Sequence, residues 1–146
     1  MTRGKIILID KDKDTLKYYI TCEFNGDMYI KHHGKNVIKE LEHIRNYDEF
    51  RTFTTHFNEQ NFGYEDFEIY SRTISDGTIN VCKNYFNNWF SDYLYFKNIS
   101  DIDINMICNN DNRDIEIKVL KNNEIMVFNF GKYIDYQTEL DKITNN

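Results

Sequence analysis

Apolar residues fall at every second position in one stretch of this chain after another, and that alternation constrains its fold more than any other feature. A segment with one apolar face and a period of two is a strand, and it must lie in a sheet with something packed on that face. Lys5–Ile9 reads as a first strand, with an unbroken apolar run from Ile6 to Ile9. Tyr18, Ile20, Cys22 and Phe24 alternate along a second, and Met28 with Ile30 along a third. Asn25-Gly26 between them is a hairpin signal, and a three-residue loop pairs Phe24 with Met28 and Cys22 with Ile30. Segments 67–73 and 78–82 form a second hairpin on Asp76-Gly77. Residues 93–97 are extended. A three-stranded meander over 102–107, 114–120 and 124–130 closes the sheet. A turn at Asn122-Asn123 sets Val119 against Met126 and Ile117 against Phe128. The opposite face then carries Leu120, Ile125 and Val127, which need a cover.

Helical spacing interrupts the strands in four places. Val37, Ile38, Leu41 and Ile44 share one face. Asn46 with Glu49 resembles a capping box that starts a helix burying Phe50, Phe53 and Phe57. Cys82, Tyr85, Phe86, Trp89, Phe90 and Tyr93 follow the helical repeat over 83–92. A last helix over 135–143 presents Tyr136, Leu140 and Ile143, the natural cover for the open face of the meander. The expected fold is one α+β domain over residues 1–146, an antiparallel, hairpin-rich sheet with three or four packed helices.

Composition fits a folded chain. The 146 residues include 11 Phe, 11 Tyr and 1 Trp, too much burial potential for disorder. Pro and Ala are absent and Asn occurs nineteen times. Asn, Lys, Ile, Tyr and Phe have AT-rich codons, which points to a low-GC genome such as that of a bacterium, a phage, another mobile element or a large DNA virus. Three cysteines cannot form a complete disulfide framework, no apolar run is long enough for a signal peptide, and none approaches a membrane span. These features lead to the expectation of a soluble protein in a reducing cytoplasm.

Catalytic and cofactor motifs are missing. The six glycines are scattered and make neither a P-loop nor a dinucleotide fingerprint, and no G-x-S-x-G occurs. Asp10-Lys11-Asp12-Lys13-Asp14 begins like a calcium loop, but Thr15 stands where the loop needs Gly and Thr21 where it needs Glu. No cofactor is expected. A metal-dependent nuclease or hydrolase remains an alternative, with His32, Glu40 and His43 as ligands or the carboxylates of Glu65, Asp66 and Glu68. A homo-oligomer burying Leu120, Ile125 and Val127 is another.

Charge favours a third class. The net charge is −6, and it is concentrated after residue 58. That disfavours nucleic acid and favours a basic protein partner. The 83–92 helix shows an uncharged polar face of Asn84, Asn87, Asn88 and Ser91, where a plain solvent face carries Lys and Glu. The leading expectation is therefore a non-catalytic binding or inhibitor protein, phage or viral in character, that blocks a basic nucleic-acid-binding protein or toxin. Its candidate surface is Asn87, Asn88, Tyr93, Asp101, Asp103 and Glu116. Neither a nucleic acid nor a membrane is expected as a direct partner.

Overall fold

The computed structural model describes residues 2–82, 91–110 and 114–144. Within them lie ten strands: β1 (Arg3–Asp12), β2 (Thr15–Thr21), β3 (Phe24–Asn25), β4 (Ile69–Ile74), β5 (Thr78–Asn80), β6 (Tyr93–Asn98), β7 (Ile104–Asn109), β8 (Ile115–Leu120), β9 (Ile125–Asn129) and β10 (Lys132–Ile134). The helices are α1 (Lys35–Leu41), entered through an irregular helical turn at Ile30–Gly34, α2 (Tyr47–Asn61) and α3 (Tyr136–Thr144).

The strands form one curled sheet in the order β4-β2-β1-β6-β9-β10-β7-β5, with β3 beside β1 and β8 beside β7. The sheet is mixed, because β6 runs parallel to β1, and β5 and β10 both run parallel to β7. Strand β1 occupies the middle. Its Ile6-Ile7-Leu8-Ile9 run is covered on both faces, which is why it lacks the alternation of the other strands. Ile6 and Leu8 join one core with Phe24, Val37, Leu41, Phe50 and Tyr95 under the helices. Ile7 and Ile9 face the other core, where the curl brings Phe96 and Phe128 against Ile104, Met106 and Leu120.

Several helical expectations hold. The side chain of Asn46 accepts from the Glu49 amide at 2.9 Å, and Phe50 and Phe57 are buried while Phe53 is partly so. The reciprocal half of the box differs, since Glu49 accepts from the Arg45 amide at 2.8 Å rather than from Asn46. In α3, Tyr136, Leu140 and Ile143 pack onto the core that contains Ile125 and Val127, as expected of that helix, whereas Leu120 lies in the other core.

Strand pairing differs from the hairpin reading. Asp10–Asp14 is no open loop: β1 and β2 continue to Asp12 and Thr15, and Lys13, at a φ of 57°, turns the chain. The Asn25-Gly26 hairpin does not form. Phe24–Asn25 pairs instead with Arg3–Gly4, and residues 30–34 are helical. The Asp76-Gly77 turn separates strands that do not pair with each other, since β4 pairs with β2 and β5 with β7. In the meander only β7 and β8 pair; β9 inserts between β6 and β10. Leu120, Ile125 and Val127 are buried within the chain, so they offer no surface for an oligomer. Each discrepancy has one cause. Alternation fixes the face of a strand, but the partner is chosen by which apolar faces must be stacked, and non-local pairing won.

Candidate functional site

The topology gathers carboxylates at one end of the sheet. Strand β1 ends there, β2 begins, β4 ends alongside β2 with Leu16 opposite Ile74, and β6 ends parallel to β1 with Asn98 opposite Ile9. That end carries Asp10, Asp12 and Asp14 of the β1–β2 hairpin, then Asp76, then Asp101 and Asp103. All but the half-buried Asp10 are exposed. Lys11 reaches Asp101 at 3.8 Å and Lys17 reaches Asp12 at 3.2 Å. Lys13 adds a third cation, and Lys121 in the turn beside Asp103 is offset by Glu124 of the same turn, so the rim stays negative. Among the described residues no group of three or more His, Cys, Asp or Glu side chains is placed to hold a metal, so the carboxylates are spread along the edge and do not converge on one point.

The loop bearing Asp101 and Asp103 is pinned from beneath. Asn98 is fully buried at the end of β6. Its Nδ2 donates to the carbonyls of Ile102 and Leu120, both at 2.9 Å. Its Oδ1 accepts from the Ser100 amide at 3.0 Å and from the Ser100 hydroxyl at 2.6 Å. From the next turn, the Asn122 side chain donates to the Ser100 carbonyl at 2.6 Å. Every donor and acceptor of the Asn98 amide is used, which fixes the backbone on either side of Asp101. Between the two carboxylates Ile102 stands 37% exposed. The result is an acid–apolar–acid tip held in one conformation before any partner arrives, which lowers the ordering cost of binding.

The other sequence candidates lie elsewhere. Tyr93 begins β6, roughly 20 Å of strand away from Asp101. It is half-buried on the helix side, stacked on Tyr95 with ring centroids 6.2 Å apart, and burial raises its pKa. Glu116 lies opposite Cys108 near the far end of β7, a similar distance from Asp103. Its side chain points to the core side of β8 and pairs with Lys118 at 3.8 Å. Alternation along a meander puts Ile115, Ile117 and Val119 on its apolar, core-facing side, yet they are 68%, 62% and 41% exposed, because β8 pairs with β7 alone and turns that face outward. Asn87 and Asn88, with the expected helix up to residue 90, fall outside the described residues. Ser91, expected on the outer polar face, is buried and donates to Glu23 at 2.7 Å.

Of the alternative catalytic groups, Glu40 and His43 share one groove and His32 is not among its lining residues. His32 lies in the irregular turn before α1 with its ring edge-on to Tyr29. Glu40 and His43 line a groove of about 750 Å³ between α1 and α2, together with Asp48, Glu49 and His56. His33 rests against Phe57 and Phe62, and burial lowers its pKa, Asp27 opposing. Burial raises the pKa of all three thiols, that of Cys108 to about 11, which suppresses thiolate. Lys5 is a buried lysine that sequence reading passed over. Its residue is 1% exposed, and burial lowers it to about 8 against the pull of Glu23. It sits at the end of the sheet opposite the acidic rim, among Thr21, Cys22 and Glu23, sealed from solvent.

Sequence reading identified Asp101 and Asp103 but not their neighbours Asp10, Asp12, Asp14 and Asp76. The D-x-D-x-D run was visible as a motif. Its place beside Asp101 depends on the parallel pairing of β1 with β6, which no local signal announces. Comparison with known protein families, with curated proteins and with solved structures finds no match to this chain.

Proposed function

We propose that this protein acts by binding a basic protein partner, without chemistry of its own, through the acidic end of its sheet. The observation that supports this most is the pinned loop 99–103, which holds the Asp101 and Asp103 carboxylates outward beside the aspartates of two neighbouring turns. Spaced carboxylates on a stiff edge resemble a run of phosphates to a surface that binds nucleic acid. The partner in this reading is such a protein or a basic toxin, and the effect of binding is to block it. Long-range attraction then speeds encounter, and Ile102 supplies an apolar contact between the charges.

The test is affinity capture from a low-GC bacterial lysate with two baits, the wild-type chain and Asp101→Lys/Asp103→Lys. A basic protein retained in stoichiometric amount by the first bait and lost or reduced about tenfold with the second supports the reading. Equal retention by both baits removes this end of the sheet from the binding surface.

A further inference from the structure

Strand β8 is an open edge. Among the described residues it pairs with β7 alone. Hydrogen bonds on the other side of β7 show which way its groups point. The amides of Asn105 and Asn109 donate to Gly77 and Gly131, and the Ile107 carbonyl accepts from Val81. The odd-numbered residues of β7 therefore face β5 and β10, and the even-numbered ones face β8. Opposite the even-numbered set lie Leu120, Lys118 and Glu116. Ile115, Ile117 and Val119 consequently direct both their main-chain groups and their exposed side chains away from the fold. An exposed apolar edge of this kind invites another strand.

Its charge pattern says which strand. A second β8, antiparallel and related by a two-fold axis through Ile117, places Ile115 opposite Val119 of the partner and Ile117 opposite itself. The three outward-facing residues of each copy then exchange main-chain hydrogen bonds. Glu116 falls opposite Lys118 of the partner and Lys118 opposite Glu116, at the closely spaced positions of an antiparallel ladder. Moving the axis one residue either way sets Glu116 against its own copy, or Lys118 against its own. A parallel in-register pair sets like charges side by side throughout. One register alone satisfies the apolar residues, the main chain and both charges, and it is self-complementary.

We infer that two copies of this chain associate through β8, extending the sheet across a two-fold axis at Ile117. This goes beyond the proposed partner binding and does not depend on it, because the acidic rim and the outer edge of β8 are separate surfaces. One short strand from each copy buries less area than a standard interface, so the dimer is weak and reversible. Sedimentation equilibrium from about 1 μM to about 1 mM should show the mass rising from monomer toward dimer. Lys118→Glu sets two carboxylate pairs across the axis and should raise the dissociation constant about tenfold. The swap Glu116→Lys/Lys118→Glu restores opposite charges and should recover the wild-type value. Ile117→Lys sets two ammonium groups at the axis and should leave a monomer, with an unchanged far-ultraviolet spectrum showing that it folds. A wild-type chain that stays monomeric to the top of that range overturns the inference, and so does a charge swap that is no better than the single change.

Discussion

Replacing Asn98 by Ala removes four hydrogen bonds beneath the Asp101–Asp103 tip. The Leu120 carbonyl and the Ser100 amide lose these partners inside the fold, while the Ser100 hydroxyl, 3.1 Å from the Ile102 carbonyl, keeps a second acceptor. A typical internal hydrogen bond contributes about 1 kcal/mol net, and an orphaned buried group costs more. Water entering the vacated space returns part of that, which leaves a loss of about 3 kcal/mol. For a domain of this length the midpoint of thermal unfolding should fall by about 9 °C. Urea denaturation followed by circular dichroism measures the loss directly, and amide exchange at Ser100 should accelerate. Asn98→Asp sharpens the test. It keeps the acceptor for Ser100 but faces two carbonyls with a carboxylate, so it should be at least as destabilising at pH 7. Those carbonyls raise the new carboxyl's pKa in the fold, so the folded state binds more protons and the deficit should shrink as pH falls below about 5. An Asn98→Ala variant within about 0.5 kcal/mol of wild type would show that the network does not hold the loop.

Other outcomes follow from the same structure. A Cβ added at Gly34 would collide with the Tyr95 hydroxyl and stand 2.9 Å from the Tyr29 carbonyl, so Gly34→Ala should cost more than about 2 kcal/mol. Adding Tyr95→Phe removes the first clash and should recover part of that loss, although it gives up the bond from Tyr95 to the Met28 carbonyl; a double variant no better than the single would contradict the packing described. Lys5 is held at about 8 in the fold against an ordinary 10.5, so the folded state binds fewer protons between those values and stability rises with pH across that window. Lys5→Met should abolish about 2 kcal/mol of that rise, allowing for relaxation around the amine. The comparison is cleanest from pH 8 to 9, where at most about 1 kcal/mol of the difference falls, because Cys108, raised from 9.0 to about 11, works in the opposite direction above that range. Identical pH profiles for the two proteins would refute the burial of the Lys5 ammonium. Phe24→Ala, which removes a buried ring 5.0 Å from both Phe57 and Phe62, should cost about 4 kcal/mol in urea denaturation, and a loss under 1 kcal/mol would place Phe24 outside the core.

What the sequence made legible was local. The cap at Asn46, the buried face of α2, the covering face of α3 and the extended segments expected at 93–97 and 114–120 all rest on neighbours within a few residues, and the structure holds each, the last as Ile115–Leu120. Partner choice was not legible. Turn signals at Asn25-Gly26, Asp76-Gly77 and Asn122-Asn123 mark reversals, yet none of the three joins strands that pair with each other. The burial needs of Ile6–Ile9 explain much of this. A strand apolar on both faces needs neighbours on both sides, and it takes β2 on one side and the distant β6 on the other. That parallel pairing also builds the acidic rim, so the same non-local event hid both the sheet order and the grouping of the aspartates. The outward turn of Ile115, Ile117 and Val119 was hidden for a related reason. Apolar alternation names a face, and at a sheet edge that face can await another chain.

If the acidic end of the sheet draws in a basic protein, as proposed, the association rate of the captured partner must depend on salt. The rate should fall steeply as ionic strength rises from about 0.01 M to about 0.5 M. Asp101→Lys/Asp103→Lys should lower the rate at low salt about tenfold and flatten its salt dependence. A rate that ignores salt and is the same for both proteins would contradict the claim.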